Sequence, residues 1–192
     1  MLRMSLLSSE DSLALFRIAR LAISTAVTES RLPEFPPVPD TLRVSRGAFV
    51  TLFRNGKLRG CVGQVENPPP LAEGVARAAI NAALHDPRFR PLAVEEIVDL
   101  EIEISVLSPL EPIALREILT GRHGLLVLRP PKRGLLLPQV ATKRGWSGQQ
   151  LLEETCAKAG LSRDDWRDPL TQVFAFTAEV LSEAEFRAAP GE

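Results

Sequence analysis

Residues 48–65 read AFVTLFRNGKLRGCVGQV, and this stretch decides the fold. Two apolar runs, Ala48–Phe53 and Lys57–Val65, flank the dipeptide Asn55-Gly56. Asn-Gly between two apolar runs is the strongest short-range signal of a β-hairpin, because both central residues of its tight turn need a positive φ. The chain is therefore expected to contain at least one antiparallel pair of strands joined by a two-residue turn.

The two-residue turn also predicts which residues of the hairpin face each other. In the simplest register Leu52 lies opposite Arg59 and Val50 lies opposite Cys61, so these four side chains share one face of the pair. A β-bulge at either glycine of the second strand would shift this register.

The rest of the chain alternates irregularly between helical and extended patterns. Apolar spacing and capping residues predict helices at Leu13–Val27, Leu71–Leu84 and from Ser147 to near Gly160, shorter helices at Glu95–Leu100, at Leu115–Leu119 and from Ser162, and strands at Glu101–Leu107, Leu125–Leu128, Leu135–Leu137 and Val173–Leu181. Four prolines between Arg31 and Asp40 predict an extended surface segment. Because strands and helices do not alternate regularly, the pattern predicts an α+β fold with a mostly antiparallel sheet packed with helices.

Composition and charge narrow the function classes. The chain has 192 residues, 45% of them hydrophobic, which suits one soluble domain or one domain with a small lobe. Its net charge of −1 and its lack of tyrosine argue against nucleic-acid binding and against attraction to an anionic membrane. No apolar run approaches the length of a membrane span, and the first ten residues lack the order of a signal peptide. The expected location is the reducing cytoplasm.

The hexad Leu58–Gly63 carries the strongest candidate for chemistry. It places Arg59 and Cys61 two positions apart, on what reads as one face of a strand. A thiol beside a permanent positive charge ionises more easily, and the thiolate is the reactive form. Cys61 is therefore a candidate nucleophile or thiol ligand, with Arg59 binding an anionic group; the alternative is a small buried hydrophobe. Gly60 and Gly63 mark a bulge or a close approach to the backbone and are taken as ligand-binding positions.

Four further residues are candidates for the same site. Asp86 and Arg88 flank a proline at a helix exit and are expected to close a ligand pocket beside the hairpin; alternatively, Asp86 binds backbone amides and Arg88 pairs with a carboxylate. Glu103 lies among apolar residues of a strand and is a candidate general base; the alternatives are a solvated sheet face or an ion pair with Arg59 or Arg88. Gln139 follows a strand, where its amide would hold a ligand's amide or carboxylate, or would satisfy loop backbone.

The sequence has too few cysteines and histidines to predict a metal site. Cys61 and Cys156 lie far apart in the chain, and the only histidines are His85 and His123. Cys156 lies on an apolar helix face and is expected in the core. Phosphate-binding and dinucleotide-binding glycine motifs are absent from the sequence, so no particular cofactor is predicted.

Six segments follow one another in the order of the motifs of a known family. They are Leu58–Gly63 with the helix after it, Asp86-Pro87-Arg88-Phe89, Glu103–Pro109, Gly121 with His123-Gly124-Leu125, Leu137–Val140 with Trp146, and Lys158–Leu161. Over roughly Ala14–Glu183 the chain resembles the AMMECR domain, named after the AMME syndrome candidate-region protein. The Leu-Arg-Gly-Cys-hydrophobic-Gly hexad is the most specific of these motifs.

The resemblance implies a single AMMECR-type domain over residues 1–192. It implies a larger subdomain from the N- and C-terminal parts, a smaller subdomain from a middle segment, and a cleft between them. It implies no established activity. Because bacterial and archaeal members often accompany Memo-type proteins and radical-SAM enzymes, it points to such proteins as partners and to a modification pathway as the setting.

The residues and the resemblance together leave two function hypotheses. In the first, the chain is an enzyme or modification factor in which Cys61 does thiol chemistry and Glu103 handles a proton. Arg59 and Arg88 then bind an anionic group of the substrate. In the second, the chain is a non-catalytic module that binds a small molecule, a peptide, a nucleotide-like ligand or a partner protein, and Cys61 only fills space.

Overall fold

The computed structural model describes residues 7–29, 31 and 33–188. The elements in these residues are the helices α1 (Ser9–Glu29), α2 (Leu71–Leu84), α3 (Pro138–Arg144), α4 (Gly148–Lys158) and α5 (Glu183–Ala188), the short 3-10 helices Asp40–Arg43, Val94–Asp99, Leu115–Glu117 and Asp165–Arg167, and the strands β1 (Ala48–Arg54), β2 (Lys57–Gln64), β3 (Leu100–Leu107), β4 (Glu111–Pro112), β5 (Gly124–Arg129), β6 (Lys132–Leu136), β7 (Gln172–Phe176) and β8 (Ala178–Ser182). Among the described residues, no helix combines the length and the apolar character that a bilayer crossing requires.

The strands form two four-stranded sheets, in the orders β2-β1-β3-β8 and β4-β7-β5-β6. Each pairing whose register is described is antiparallel. The chain divides into two compact units: one holds the described residues up to Leu107 and those from Glu179 onward, and the other is Ser108–Ala178. The predicted α+β class with antiparallel sheets is confirmed.

In the first unit, α2 packs on β1 and β2, and α1 packs on α2. The inward-facing side chains of β1 and β3 are buried, namely Val50, Leu52, Ile102 and Ile104. The buried residues of α2 include five alanines, and small side chains let a helix lie close to a sheet. The helix predicted at Leu71–Leu84 and its small-residue face are confirmed.

Asn55 and Gly56 form the hairpin turn with φ angles of 52° and 70°. The predicted two-residue turn is therefore confirmed, but the register beyond it is not. Leu52 pairs with Gly60, which leaves Arg59 as the extra residue of a β-bulge. The bulge therefore lies at the residue before Gly60, and not at Gly60 or Gly63.

The bulge moves Cys61 away from the face that α2 covers. Thr51, and not Val50, lies opposite Cys61. Gly60 instead turns toward α2 on the face that carries Val50. The expectation that Cys61 shares a face with Val50 is therefore wrong.

The second unit has its own core between α4 and the strands β5 and β6. Cys156 on α4 is fully buried there, which confirms the expectation that it is a core residue. Helix α3 begins at Pro138, directly after β6, because proline suits the first position of a helix. The predicted strand Val173–Leu181 is divided at Thr177 into β7 and β8, which belong to different sheets.

Candidate functional site

Cys61 lies on β2, an edge strand of its sheet. Its side chain is half-buried. Its Sγ accepts a hydrogen bond from the hydroxyl of Thr51, with the oxygen and sulfur 3.2 Å apart. Because the bulge places Thr51 directly opposite, the register itself brings these two groups together. The thiol is thus neither sealed in an apolar core nor fully exposed.

Two side chains from the loop after α2 hold the backbone of Cys61. Its N–H donates to Oδ2 of Asp86 at 2.9 Å, and its carbonyl oxygen accepts a hydrogen bond from Nη2 of Arg88 at 3.2 Å. Arg88 also binds Asp86 through two hydrogen bonds, Nε to Oδ1 at 2.9 Å and Nη2 to Oδ2 at 2.6 Å. Asp86 and Arg88 therefore occupy the outward hydrogen-bonding groups of an edge strand, the groups that would otherwise pair with another chain.

Asp86 is buried and ionised. The hydrogen bond from Arg88 is the largest cause that holds the pKa of Asp86 far below its usual range, and the backbone N–H groups of Cys61 and Arg88 add to it against the opposing effect of burial. Oδ1 of Asp86 also accepts the N–H of Arg88 at 3.1 Å, the local turn that Asp side chains favour. The interpretation of Asp86 as a ligand of backbone amides is confirmed.

Arg88 is bound chiefly to Asp86 and interacts more weakly with Cys61. Its hydrogen bond to Asp86 is the main cause that raises the pKa of Arg88, and the charge of a Cys61 thiolate raises it further. The Arg88 side chain is 55% exposed. The Arg88 side chain therefore contacts both solvent and Cys61, whereas the Asp86 side chain is buried.

Arg59, the bulge residue, faces a different carboxylate. Its Nε and Nη2 donate to the two carboxylate oxygens of Glu96 at 3.0 and 2.9 Å, and its side chain is only 11% exposed. Glu96 also accepts a hydrogen bond from Nη1 of Arg54 at 3.1 Å and one from the N–H of Ala93 at 3.0 Å. Nε and Nη2 of Arg59 are thus bound to Glu96, which matches the charge of Arg59 with a carboxylate. An effect of Arg59 on the Cys61 thiol stays a prediction.

Sequence reasoning missed Glu96. The ion pairs that the structure gives Arg59 and Arg88 are with Glu96 and Asp86, and the alternative of an ion pair between Glu103 and one of these arginines stays a prediction. The local signal was weak: Glu96 stands three residues after Ala93, the spacing at which a carboxylate reaches back to the N–H that precedes a helical turn. That spacing predicts the hydrogen bond from the N–H of Ala93 to Glu96. It does not predict that Arg54 and Arg59 of the hairpin also bind Glu96.

Glu96 should make the stability of the protein depend on pH. The hydrogen bond from Arg59 is the main cause that lowers the pKa of Glu96 from 4.5 to about 2. Because the folded-state value lies below the unfolded one, the stabilisation is complete above the unfolded pKa and is lost as the pH falls through the folded one. A shift of this size corresponds to about 3 kcal/mol.

Denaturant unfolding across pH can isolate that contribution. Wild type and Glu96→Gln should differ most in free energy of unfolding near neutral pH, and the difference should narrow steadily between about pH 5 and about pH 2. Other carboxylates with lowered pKa values, such as Asp86, titrate alike in both proteins and cancel in the comparison. A difference that stays constant over this range would show that Glu96 is not the ionised partner of Arg59.

The two glycines of the hexad are explained by close approaches within the chain. A Cβ on Gly60 would overlap the backbone carbonyl of Ala82 in α2. A Cβ on Gly63 would overlap the ring of Phe49 and the carbonyl oxygen of Ala48. The space beside each glycine is therefore filled by the protein itself, and a role for Gly60 or Gly63 in ligand binding stays a prediction.

Glu103 lies in one cross-strand row with the thiol. Thr51 pairs with Cys61 on one side and with Glu103 on the other, so the three side chains project from the same face of the sheet. Neighbouring strands are about 4.8 Å apart, which places the backbones of Cys61 and Glu103 about 10 Å apart. Glu103 is thus near the thiol but separated from it by the width of one strand.

Gln139 belongs to the second unit, on α3. Its Oε1 is buried and has no hydrogen-bond partner among the described residues.

The ring nitrogen Nδ1 of His123 accepts a hydrogen bond from the N–H of Leu119 at 3.2 Å, as suits a turn residue. Within the described ranges, no group of three His, Cys, Asp or Glu side chains is arranged to hold a metal ion.

A groove of about 420 Å³ lies elsewhere in the first unit. It is lined by α1, including Leu13, Arg17 and Leu21, and by the proline-rich segment Pro36–Pro39. Residues 33–39 form neither helix nor strand, as their prolines predicted. None of the residues around Cys61 lines this groove, so its size says nothing about chemistry at the thiol.

Comparison with known proteins agrees with the motif order. The profile of the AMMECR1 family matches residues 16–181. A protein of Methanothermobacter thermautotrophicus is 44% identical over 185 residues, which cover 92% of this chain and 96% of that protein. Protein MK0488 of Methanopyrus kandleri is 39% identical over 189 residues, which cover 93% of this chain and 91% of that protein.

The fold is also found in a solved structure. The crystal structure of the uncharacterized protein PH0010 from Pyrococcus horikoshii superposes with a TM-score of 0.84 at 42% identity, over 92% of this chain and 93% of that chain. Since the profile spans most of the sequence and the similarity of both sequence and structure extends over nearly the whole length of these relatives, this chain belongs to the AMMECR1 family.

Proposed function

We propose that this protein is an enzyme or modification factor that works through the thiol of Cys61. The carrying observation is the convergence of three side chains on one half-buried cysteine. Thr51 donates to the sulfur, Asp86 accepts the backbone N–H, and Arg88 donates to the carbonyl oxygen. The thiol is thereby held in one place at a solvent-accessible strand edge, as a nucleophile must be.

The other cysteine provides an internal contrast. Cys156 is fully buried in the apolar core of the second unit, and burial is the main cause that raises its pKa. A raised thiol pKa suppresses the thiolate, which is the reactive form. Cys61 instead is half-buried and interacts with the charge of Arg88. One chain thus holds one cysteine suited to packing and one suited to reaction.

Arg88 and Glu103 take supporting roles in this proposal. Arg88, being exposed, binds an anionic group of the substrate next to the thiol. Glu103, one strand further along the row, is too far to take the proton of Cys61 directly, so it would act on a group bound above the sheet. Arg59 is assigned to holding the hairpin against Glu96 and not to the substrate.

Alkylation by iodoacetamide tests the proposal without knowledge of the substrate. We expect Cys61 to be modified in the folded protein and Cys156 to be modified only after unfolding, as read by mass mapping of the two cysteine peptides. At pH 7 the rate for Cys61 in the folded protein should exceed the rate for the same cysteine in the free peptide, because the thiolate is the reactive form.

The variant Cys61→Ser is the matched control and should lose the label from that peptide while folding normally. Protection of Cys61 until the protein unfolds would overturn the proposal. So would a rate at pH 7 that is no faster in the folded protein than in the free peptide.

One observation favours a second candidate, a non-catalytic binding module. Arg59 and Arg88 are both already matched by carboxylates, so the cluster needs no ligand to balance its charge. A binding module would keep its affinity for a partner in Cys61→Ser, whereas the enzyme would lose its activity. The Memo-type and radical-SAM proteins that the family resemblance implies as partners are the first candidates for such a binding measurement.

A further inference from the structure

Thr51 lies outside the hexad Leu58–Gly63, and its sequence pattern alone does not mark it as a site residue. It lies on β1, an interior strand of the sheet, and its side chain is almost fully enclosed. The hydrogen bond that the structure gives its hydroxyl is the donation to Sγ of Cys61. A buried hydroxyl without a partner is costly, so this donor is committed to the sulfur.

We infer that Thr51 is a positioning residue that stabilises the thiolate of Cys61. This inference rests on the proposed function. A thiol sulfur is a weak acceptor, whereas an ionised acceptor forms a hydrogen bond roughly twice as strong. The contact with Thr51 therefore gains strength when Cys61 ionises, with the thiol proton leaving to solvent and the hydroxyl proton remaining on Thr51.

The geometry makes Thr51 well suited to this role. Threonine is branched at Cβ, so an enclosed threonine in a strand holds its hydroxyl in one rotamer. The bulge at Arg59 sets the register that places Thr51 opposite Cys61. Arg88, the cation of the site, has its guanidinium on Asp86 and on the carbonyl oxygen of Cys61. The hydroxyl of Thr51 thus supplies the hydrogen bond to the sulfur itself.

Three proteins test the inference: wild type, Thr51→Val and Thr51→Ser. Valine keeps the volume and the branching of threonine and removes the hydroxyl, whereas serine keeps the hydroxyl. The measurement is the iodoacetamide rate of the Cys61 peptide as a function of pH, with the ultraviolet absorbance of the thiolate titrated in parallel. Thermal unfolding of each protein shows that it is folded under the assay conditions.

We expect the midpoint of both profiles to rise by about one pH unit in Thr51→Val and to stay near the wild-type value in Thr51→Ser. The maximum rate at high pH should be equal or higher in Thr51→Val, since a thiolate without the hydrogen bond is the stronger nucleophile. If Thr51 only packed the strand, the valine variant would change access and hence the maximum rate, while its midpoint would not move.

The outcomes separate the two proposals. Coincident midpoints for wild type and Thr51→Val, with Cys61 reactive in both, would overturn the role of Thr51 and leave the thiol function standing. Protection of Cys61 in the wild type would overturn both. If Thr51→Val does not fold, Thr51→Ala takes its place, and equal midpoints for the alanine and serine variants would then contradict the inference.

Discussion

Glu96→Gln is expected to lower the free energy of unfolding at neutral pH by about 3 kcal/mol, because removal of one partner of a buried ion pair leaves the other charge uncompensated. Glutamine keeps one acceptor oxygen but replaces the other by an NH₂ donor, so the two-point pairing with Arg59 is lost and the charges of Arg59 and Arg54 lose their shared carboxylate. Nη1 of Arg59 and Nε of Arg54 are already buried without a partner among the described residues. The other acceptors near these arginines are the carbonyl oxygen of Pro91, 3.4 Å from Arg59, and the carboxylate of Asp99, 3.4 Å from Arg54. Urea unfolding followed by circular dichroism measures the effect.

Glu95→Gln is the matched control for this prediction. Glu95 is the preceding residue of the same short helix, carries the same charge and is exposed. Its replacement should change the free energy of unfolding by less than about 0.5 kcal/mol. Equal effects of the two substitutions would mean that the Glu96 cluster contributes only as surface charge, and the assignment of Arg59 to the hairpin would then fail.

Gly60→Ala is expected to destabilise the fold by about 3 kcal/mol, the upper part of the usual range for overpacking. The added Cβ would overlap the carbonyl oxygen of Ala82 and lie 2.9 Å from its carbonyl carbon. These are backbone atoms of α2, so relief requires movement of a whole helix or strand. Gly60 is not among the residues with positive φ, so the expected cost is steric and not conformational.

Gly74→Ala, in the helix that Gly60 contacts, is expected to change the free energy of unfolding in the opposite direction. A Cβ on Gly74 would meet the side chain of Pro69 at 3.5 Å, an ordinary contact. Because alanine is the better helix former, this substitution should raise the free energy of unfolding by about 0.5–1 kcal/mol. A cost below about 1 kcal/mol for Gly60→Ala, measured by the same urea unfolding, would contradict the close packing of α2 on β2.

The parts of the fold that sequence predicted well are those whose causes are local. Asn55-Gly56 specifies its own turn, because few other pairs tolerate two positive φ angles. The helix at Leu71–Leu84 follows from the periodicity of its apolar residues. The strand at Glu101–Leu107 follows from strict alternation and is found at Leu100–Leu107. The family followed from the order of the motifs along the chain.

The candidate site was predicted only in part. Cys61, Asp86 and Arg88 come together as the sequence suggested, and Asp86 proved to be the ligand of backbone amides that was the alternative interpretation. The partner of Arg59 and the hydrogen-bond donor to the thiol were missed, because each depends on a neighbour that another strand or loop brings in. Glu96 reaches Arg59 across a gap of 37 residues, which local spacing does not encode.

The sequence by itself determined the hairpin, the main helices, the class of the fold and the residue that carries the thiol, since each of these is written in short-range pattern and turn chemistry. Only the tertiary structure decided which way that thiol points. The bulge at Arg59 sets this direction. The bulge is required by tertiary packing, because only a residue as small as Gly60 fits against α2 and because the charge of Arg59 pairs with Glu96. Both contacts form only when distant parts of the chain come together in the fold, and the resulting register places Cys61 opposite Thr51.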